Sequence, residues 1–301
     1  MRVRKPGKVR DGLWYLGREE SGVYLLEGRN DAMILNGGMN YILPDMMEQL
    51  QTFGINRQKI SKLLILHAHF DHVGIVPYLK RSHPHMEVYA SARGWEILEM
   101  PKAVSTINEF SRYVCKRMGK EDVWSAYDLE WRDDVRGKIL REGDRINVGG
   151  IDVRILEVPG HSSCSMAAYV PEMKALFPSD AGGIPFRDTI IPSGNSNYTK
   201  YQENLERLEG LDVEFYCADH YGYVIGEEAR TFLAKTIERA RDLRSLIEET
   251  YRRNRDIDST SRRLLSVFYS ENRDYFLDPD IFFEVYRQMV RHIAGAMESR
   301  A

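Results

Sequence analysis

The sequence predicts a mixed α/β chain, with a strand-rich body over about residues 1–225 and a helical tail over about 226–301. Three observations predict it. Short apolar runs separated by Gly and Pro turns fill the first part. Past Gly226 no such run recurs, and Leu233, Ile237, Ala240, Leu243, Ile247 and Tyr251 form one apolar stripe at steps of three and four. Histidines and carboxylates gather just past the ends of several predicted strands.

Taken in order, Val23–Leu26 and Ala32–Leu35 read as strands, the second closed by Asn36-Gly37-Gly38. Ile42–Thr52 reads as a helix, Lys62–Leu66 as a buried strand, Val73–Arg81 as a helix and Glu87–Ala90 as a strand. Between about 100 and 135, Val104, Ile107, Phe110, Tyr113 and Val114 repeat at helical spacing, which predicts an inserted helical pair. Strand patterning returns at Lys138 and continues through Ile146–Val148, Ile151–Val158, Ser165–Val170 and Lys174–Phe177. Thr199–Leu208 is helical and Val213–Cys217 is a strand. Asp258–Val267 and Pro279–Met297 are two further tail helices.

Composition narrows the class. Hydrophobic residues make up 43% and charged residues 29% of the 301, as in an ordinary water-soluble domain. A net charge of −3 gives no electrostatic reason to expect nucleic acid or an anionic membrane as a partner. No apolar run reaches the roughly 18 residues that span a bilayer, and the basic stretch Met1 to Asp11 lacks the apolar segment of a signal peptide. Cys115, Cys164 and Cys217 form no CxxC pair, which points to free thiols and a cytoplasmic location.

The chemistry lies at the strand ends. His67, His69, Asp71 and His72 follow one strand, His161 another, Asp180 a third and His220 a fourth. Ends of strands in one sheet share an edge, and loops there are a common place for a site. His67 and His69 are two apart, so an extended turn aims both imidazoles at one ion. Asp71 and His72 fall where the chain turns into a helix and face a second ion beside it. Two divalent ions about 3.5–4 Å apart activate water and polarise a carbonyl or phosphoryl group. No thiolate is among the donors; zinc is placed first, with iron and manganese also compatible.

His67-Ala68-His69-Phe70-Asp71-His72 resembles the HxHxDH signature of the metallo-β-lactamase superfamily. Pro159-Gly160-His161-Ser162, Ser179-Asp180 and Asp219-His220 match its later motifs in order, over roughly residues 12–225. The resemblance implies an αββα four-layer sandwich, here with a C-terminal helical extension. It implies that His67, His69 and His161 hold one metal, that Asp71, His72 and His220 hold the second, and that Asp180 bridges them, with Asp71 and Asp180 as the catalytic carboxylates. Three positions depart from the common pattern: Asn36 where Asp is frequent, Ser179 for the usual Gly, and Asp219 for the usual Gly.

Within the superfamily the glyoxalase II-like hydrolases fit best, and the layout resembles that of the quinolone-signal response thioesterases. That implies a dinuclear hydrolase using a metal-bound hydroxide on a thioester, lactone or related ester. A phosphodiesterase of the same fold, or a regulatory or interaction protein that keeps the metal site, is the alternative. Phe110, Tyr113 and Trp124 of the insertion, with Phe186 and Tyr198, are candidate lining residues for a small-molecule substrate with an apolar part. Tyr221 and Tyr223 are candidate oxyanion donors or packing residues. The amphipathic tail leaves a homodimer open. His83 and His85 read as loop residues, His292 as structural or solvent-facing, and Cys164 as a small buried residue.

Overall fold

A computed structural model describes residues 1–299. It contains two seven-stranded mixed sheets. The first runs, in spatial order, Gly7–Arg10, Leu13–Arg18, Ser21–Glu27, Ala32–Leu35, Ile60–Leu64, Glu87–Ser91 and Lys138–Leu140. The second runs Arg2–Val3, Tyr223–Ile225, Phe215–Cys217, Ala175–Phe177, Met166–Val170, Ile151–Glu157 and Arg145–Val148.

Side-chain alternation explains how the layers stack. Tyr24, Leu26, Met33, Leu35, Leu64 and Leu66 point into a core shared with Val153, Ile155, Ala168 and Phe177 of the second sheet. Their neighbours Val23, Leu25, Ala32, Ile34, Leu63 and Ile65 point the other way, onto the helices outside the first sheet. Strands buried on both faces read as unbroken apolar runs, as Leu63–Leu66 does. A third core joins the outer face of the second sheet to Tyr198–Glu209 and to the tail helices. The layers are therefore helix, sheet, sheet, helix, as the αββα expectation required.

Strand direction then places the site. Ala32–Leu35, Ile60–Leu64, Glu87–Ser91 and Lys138–Leu140 pair in parallel, so their C-terminal ends share one edge. In the second sheet Ala175–Phe177 and Phe215–Cys217 are parallel, and Ile151–Glu157 runs the same way two strands along.

Several elements differ from expectation. The helix predicted over Val73–Arg81 is two helices, Phe70–Val73 and Val76–Ser82. They break around Gly74, where a Cβ would stand 2.3 Å from the backbone nitrogen of Asn40. The insertion over 100–135 is a helical pair, Pro101–Arg117 and Glu121–Ala126, as expected, and a further helix, Ala92–Glu99, which the sequence did not announce, precedes it. The tail contains Phe232–Asn254, Ile257–Glu271 and Pro279–Glu298. The basic N-terminus is part of the second sheet, with Arg2–Val3 paired to Tyr223–Ile225. Among the described residues no helix is long and apolar enough to cross a membrane.

Tyr24 ties the first sheet to a site-bearing loop of the second. Fully buried, its hydroxyl donates to the carbonyl of Ala218 at 2.7 Å, and the Gly222 carbonyl lies 3.1 Å away. Tyr24→Phe leaves these carbonyls without that donor and is expected to cost about 1–3 kcal/mol. Urea unfolding of the two proteins at matched metal content measures it.

Candidate metal centre

His67 and His69 lie in the turn after Ile60–Leu64, and His69 is the residue before the helix Phe70–Val73. Asp71 and His72 occupy the first turn of that helix. His161 follows Pro159-Gly160. Gly160 has φ +147, and a Cβ there would meet the Tyr201 backbone nitrogen at 2.4 Å, so only glycine lets the loop pass this close. Asp180 lies in a short 3₁₀ turn after Ala175–Phe177, and His220 lies in the loop after Phe215–Cys217.

The seven predicted side chains converge. His161 Nε2 lies 3.2 Å from His67 Nε2 and 3.0 Å from His69 Nδ1. Across from them His72 Nε2 and His220 Nε2 are 3.2 Å apart, each 3.7 Å from Asp71 Oδ2. Asp180 stands between the two groups. Its Oδ2 is 3.4 Å from His72 Nε2 and 3.5 Å from His161 Nε2, and its Oδ1 is 3.6 Å from His220 Nε2. The sets His67–His69–His161, His67–His72–Asp180 and Asp71–His72–His220 each bring three donor atoms within 4.8 Å of one another.

This geometry fits cations. Nitrogens about 2.0–2.1 Å from a tetrahedral zinc are roughly 3.3–3.4 Å apart, close to the spacings above. Four rings are engaged at their outer nitrogen, which leaves the inner lone pair directed at the centre. His161 Nδ1 donates to the Ser193 carbonyl at 2.8 Å, and His220 Nδ1 to the Glu20 carbonyl at 2.7 Å. His67 Nδ1 faces Ser179 Oγ at 3.1 Å, and His72 Nδ1 faces Asp219 Oδ2 at 3.1 Å.

Burial drives the protonation pattern. It pushes His67 well below the ordinary imidazole range, helped by the neighbouring His72, His69 and His161. It holds His69 and His161 at about 4. For His72, burial acts downward too, but Asp180 and Asp71 outweigh it and the ring stays well above the usual value. Burial acts upward on Asp180, yet His72, His220 and His161 draw its carboxyl well below the usual range.

The expected lining is only partly present. Tyr198 is fully buried with its hydroxyl donating to the Ala240 carbonyl at 2.9 Å, and Phe186 packs on Tyr221 and Tyr275; both are core residues away from the centre's opening. Phe110 packs edge-on against Phe70 at 5.3 Å. Tyr113 is exposed and donates to Asp278, while Trp124 lies under the Arg112 guanidinium. Tyr221 Oη accepts from the Phe276 backbone N–H at 3.0 Å, and Tyr223 is buried between the sheets. Cys164 is buried, with its Sγ 3.4 Å from the Ala68 nitrogen and outside the donor sets.

Sequence reasoning set the helical insertion and tail over the cleft but did not name the residues that form the roof. The loop between the last two tail helices lays Phe276 flat on His220, with ring centroids 4.3 Å apart. Beside it a cavity of about 370 Å³ is lined by Tyr41, Phe70, Val114, Met118, Phe276 and Leu277, among others. Its walls come from residues more than 150 positions apart in the chain, so no local pattern announces it.

Comparison with known proteins gives the same picture. Residues 16–220 match the family model described as the metallo-beta-lactamase superfamily. The chain is similar to a hydroxyacylglutathione hydrolase of Rhodopseudomonas palustris, 25% identical over 171 residues, covering 54% of this chain and 49% of that one. It thus spans about half the length of that relative. It is also similar to the acyl-coenzyme A thioesterase MBLAC2 of Bos taurus, 24% identical over 186 residues, covering 56% of this chain and 63% of that one. In fold it resembles the metallo-beta-lactamase family protein TTHA1429 of Thermus thermophilus, with a TM-score of 0.69 at 17% identity, covering 97% of this chain and 95% of that one.

The histidine cluster makes the metal-free protein acid-sensitive. His67, His69 and His161 take up protons less readily folded than unfolded, so the stability tied to them falls as pH drops from about 6.5, the ordinary imidazole value, toward about 4. His72, with its raised value, contributes in the opposite sense, one ring against three. The urea midpoint of chelator-treated protein is expected to be lower at pH 5 than at pH 7.

Proposed function

This chain belongs to the metallo-β-lactamase superfamily, and on that premise we propose that it is a dinuclear metal-dependent hydrolase of thioesters or related esters. The observation that carries the reading is Asp180, set between two three-residue donor groups with one oxygen 3.5 Å from His161 and the other 3.6 Å from His220. A carboxylate in that place is suited to hold two cations side by side.

His67, His69 and His161 would hold one ion, Asp71, His72 and His220 the other, and Asp180 both. When bound, such ions lower the pKa of a water toward neutrality and polarise the acyl carbonyl. The protein's part is positional. Hydrogen bonds donated by their Nδ1–H groups to the Ser193 and Glu20 carbonyls fix the inward-facing nitrogens of His161 and His220. Asp180 and Asp71, both nearly buried, supply negative charge at the centre. The cavity beside Phe276, with an apolar side at Phe70, Val114, Met118 and Leu277 and charged residues including Glu20, Arg117 and Arg273 in the rest of its wall, is suited to an acyl group with a polar end, and its volume of about 370 Å³ limits the size. Hydroxyacylglutathione and acyl-coenzyme A, the compounds in the relatives' names, are both thioesters, which favours that class over a phosphodiester.

Protein purified without chelator is expected to contain about two divalent ions per chain by elemental analysis. Asp180→Asn is expected to hold fewer and to lose at least ~100-fold in kcat/KM on an acyl thioester, the scale of a misplaced reacting group. Wild-type protein that cleaves bis-(p-nitrophenyl) phosphate but no thioester would instead assign the phosphodiesterase reading. Val114→Trp, which fills the cavity, is expected to raise KM for long acyl chains about tenfold while sparing acetyl thioesters, as loss of one or two apolar contacts does.

A further inference from the structure

The three positions at which the motifs depart from the common pattern are far apart in sequence, yet they form one cluster under the centre. Asn36 ends the strand Ala32–Leu35, Ser179 follows Ala175–Phe177, and Asp219 follows Phe215–Cys217. All three are buried, at 0, 2 and 4% exposure. Asp219 Oδ2 is their meeting point. It accepts a short hydrogen bond from Ser179 Oγ and one from Asn36 Nδ2 at 2.5 Å, and His72 Nδ1 lies 3.1 Å away. Ser179 Oγ in turn is 3.1 Å from His67 Nδ1, and Asn36 Nδ2 is 2.8 Å from His72 Nδ1.

The backbone is bent to achieve this. Ser179 has φ +50, a left-handed region that serine seldom adopts, and Asn36, a residue type that tolerates this region, has φ +66. Strain kept at such positions points to a role for the side chain. A glycine at 179 would relieve the strain but would carry no hydroxyl.

We infer that Asp219 is the positioning carboxylate of the centre, orienting His72 directly and His67 through the Ser179 hydroxyl, so that one buried acid aligns a ligand of each ion. The two Asn36 amide hydrogens go to Asp219 and to the Ser179 oxygen, and the Ser179 hydroxyl donates to Asp219. The Ser179 oxygen then also accepts from His67 Nδ1–H, and His72 Nδ1–H points at Asp219. Both rings then offer Nε2 to the centre. Asn36 contributes the amide that anchors the carboxylate, where an acid at 36 would have faced His72 itself. The inference rests on the two-ion reading of the site.

The test is metal affinity, measured by competition with a chromophoric chelator on folded, metal-free protein loaded with zinc alone. Loss of an outer hydrogen-bond partner of a ligating histidine typically costs 10–100-fold in affinity. Asp219→Asn is expected to weaken both ions by about that factor, and Ser179→Gly to weaken the ion held by His67 alone. Because φ +50 suits glycine, Ser179→Gly provides a folded variant even where Asp219→Asn does not fold. Exchanging the two groups, Asn36→Asp with Asp219→Asn, returns a carboxylate beside His72 and is expected to recover at least tenfold of the affinity lost at the ion held by His72, within the same range. Wild-type affinity in Ser179→Gly, or no recovery in the exchanged variant, overturns the inference. A wild-type protein that binds no zinc would instead overturn the two-ion reading beneath it.

Discussion

Five imidazoles and two carboxylates converge at one largely buried edge, and much of the rest of the molecule serves to keep them there. Burying polar groups is costly unless each has a partner. The fold answers this by giving most of the rings an outer acceptor from a separate segment: Ser193, Glu20, Ser179 and Asp219. Two sheets are needed because no single turn can present so many donors to one point. Parallel strands supply several C-terminal ends along an edge, and face-to-face packing brings the edges of both sheets together.

The centre was legible in sequence because its chemistry is local. His67, His69, Asp71 and His72 sit within six residues, and His161, Asp180 and His220 each follow an apolar run. The αββα layering followed from the family resemblance alone, because central strands buried on both faces read as unbroken apolar runs. What surrounds the centre was not legible. Asp219 and Asn36 meet across 183 positions, and Glu20 reaches His220 across 200. The early strands were missed because Leu13–Arg18 mixes Gly and Arg with its apolar residues, and Ile184–Phe186 and Thr189–Ile191 are too short to show a period. Tyr198 and Phe186 looked available for substrate because aromatic residues in a loop carry no mark of which way they face. Both turn inward, where Tyr198 finds the Ala240 carbonyl.

The roof is assembled from two segments that bring no donor to the centre. Helix Pro101–Arg117 of the insertion and the loop around 272–278 meet at Asp278, which binds Tyr113 at 2.9 Å and Arg117 at 3.0 Å. Tyr221, directly after His220, holds the same loop through the Phe276 backbone. The tail thereby meets the centre at Phe276 on His220 and is anchored in the core it shares with the second sheet.

Such a roof separates two kinds of inheritance. The strand-end turns are bound by mutual geometry, since a change in one displaces the others. The clasp at Asp278 carries no such obligation. Insertions or exchanges there reshape what enters the cleft while the reactive floor stays as it was, so lineages sharing this floor are free to diverge in diet without relearning the chemistry.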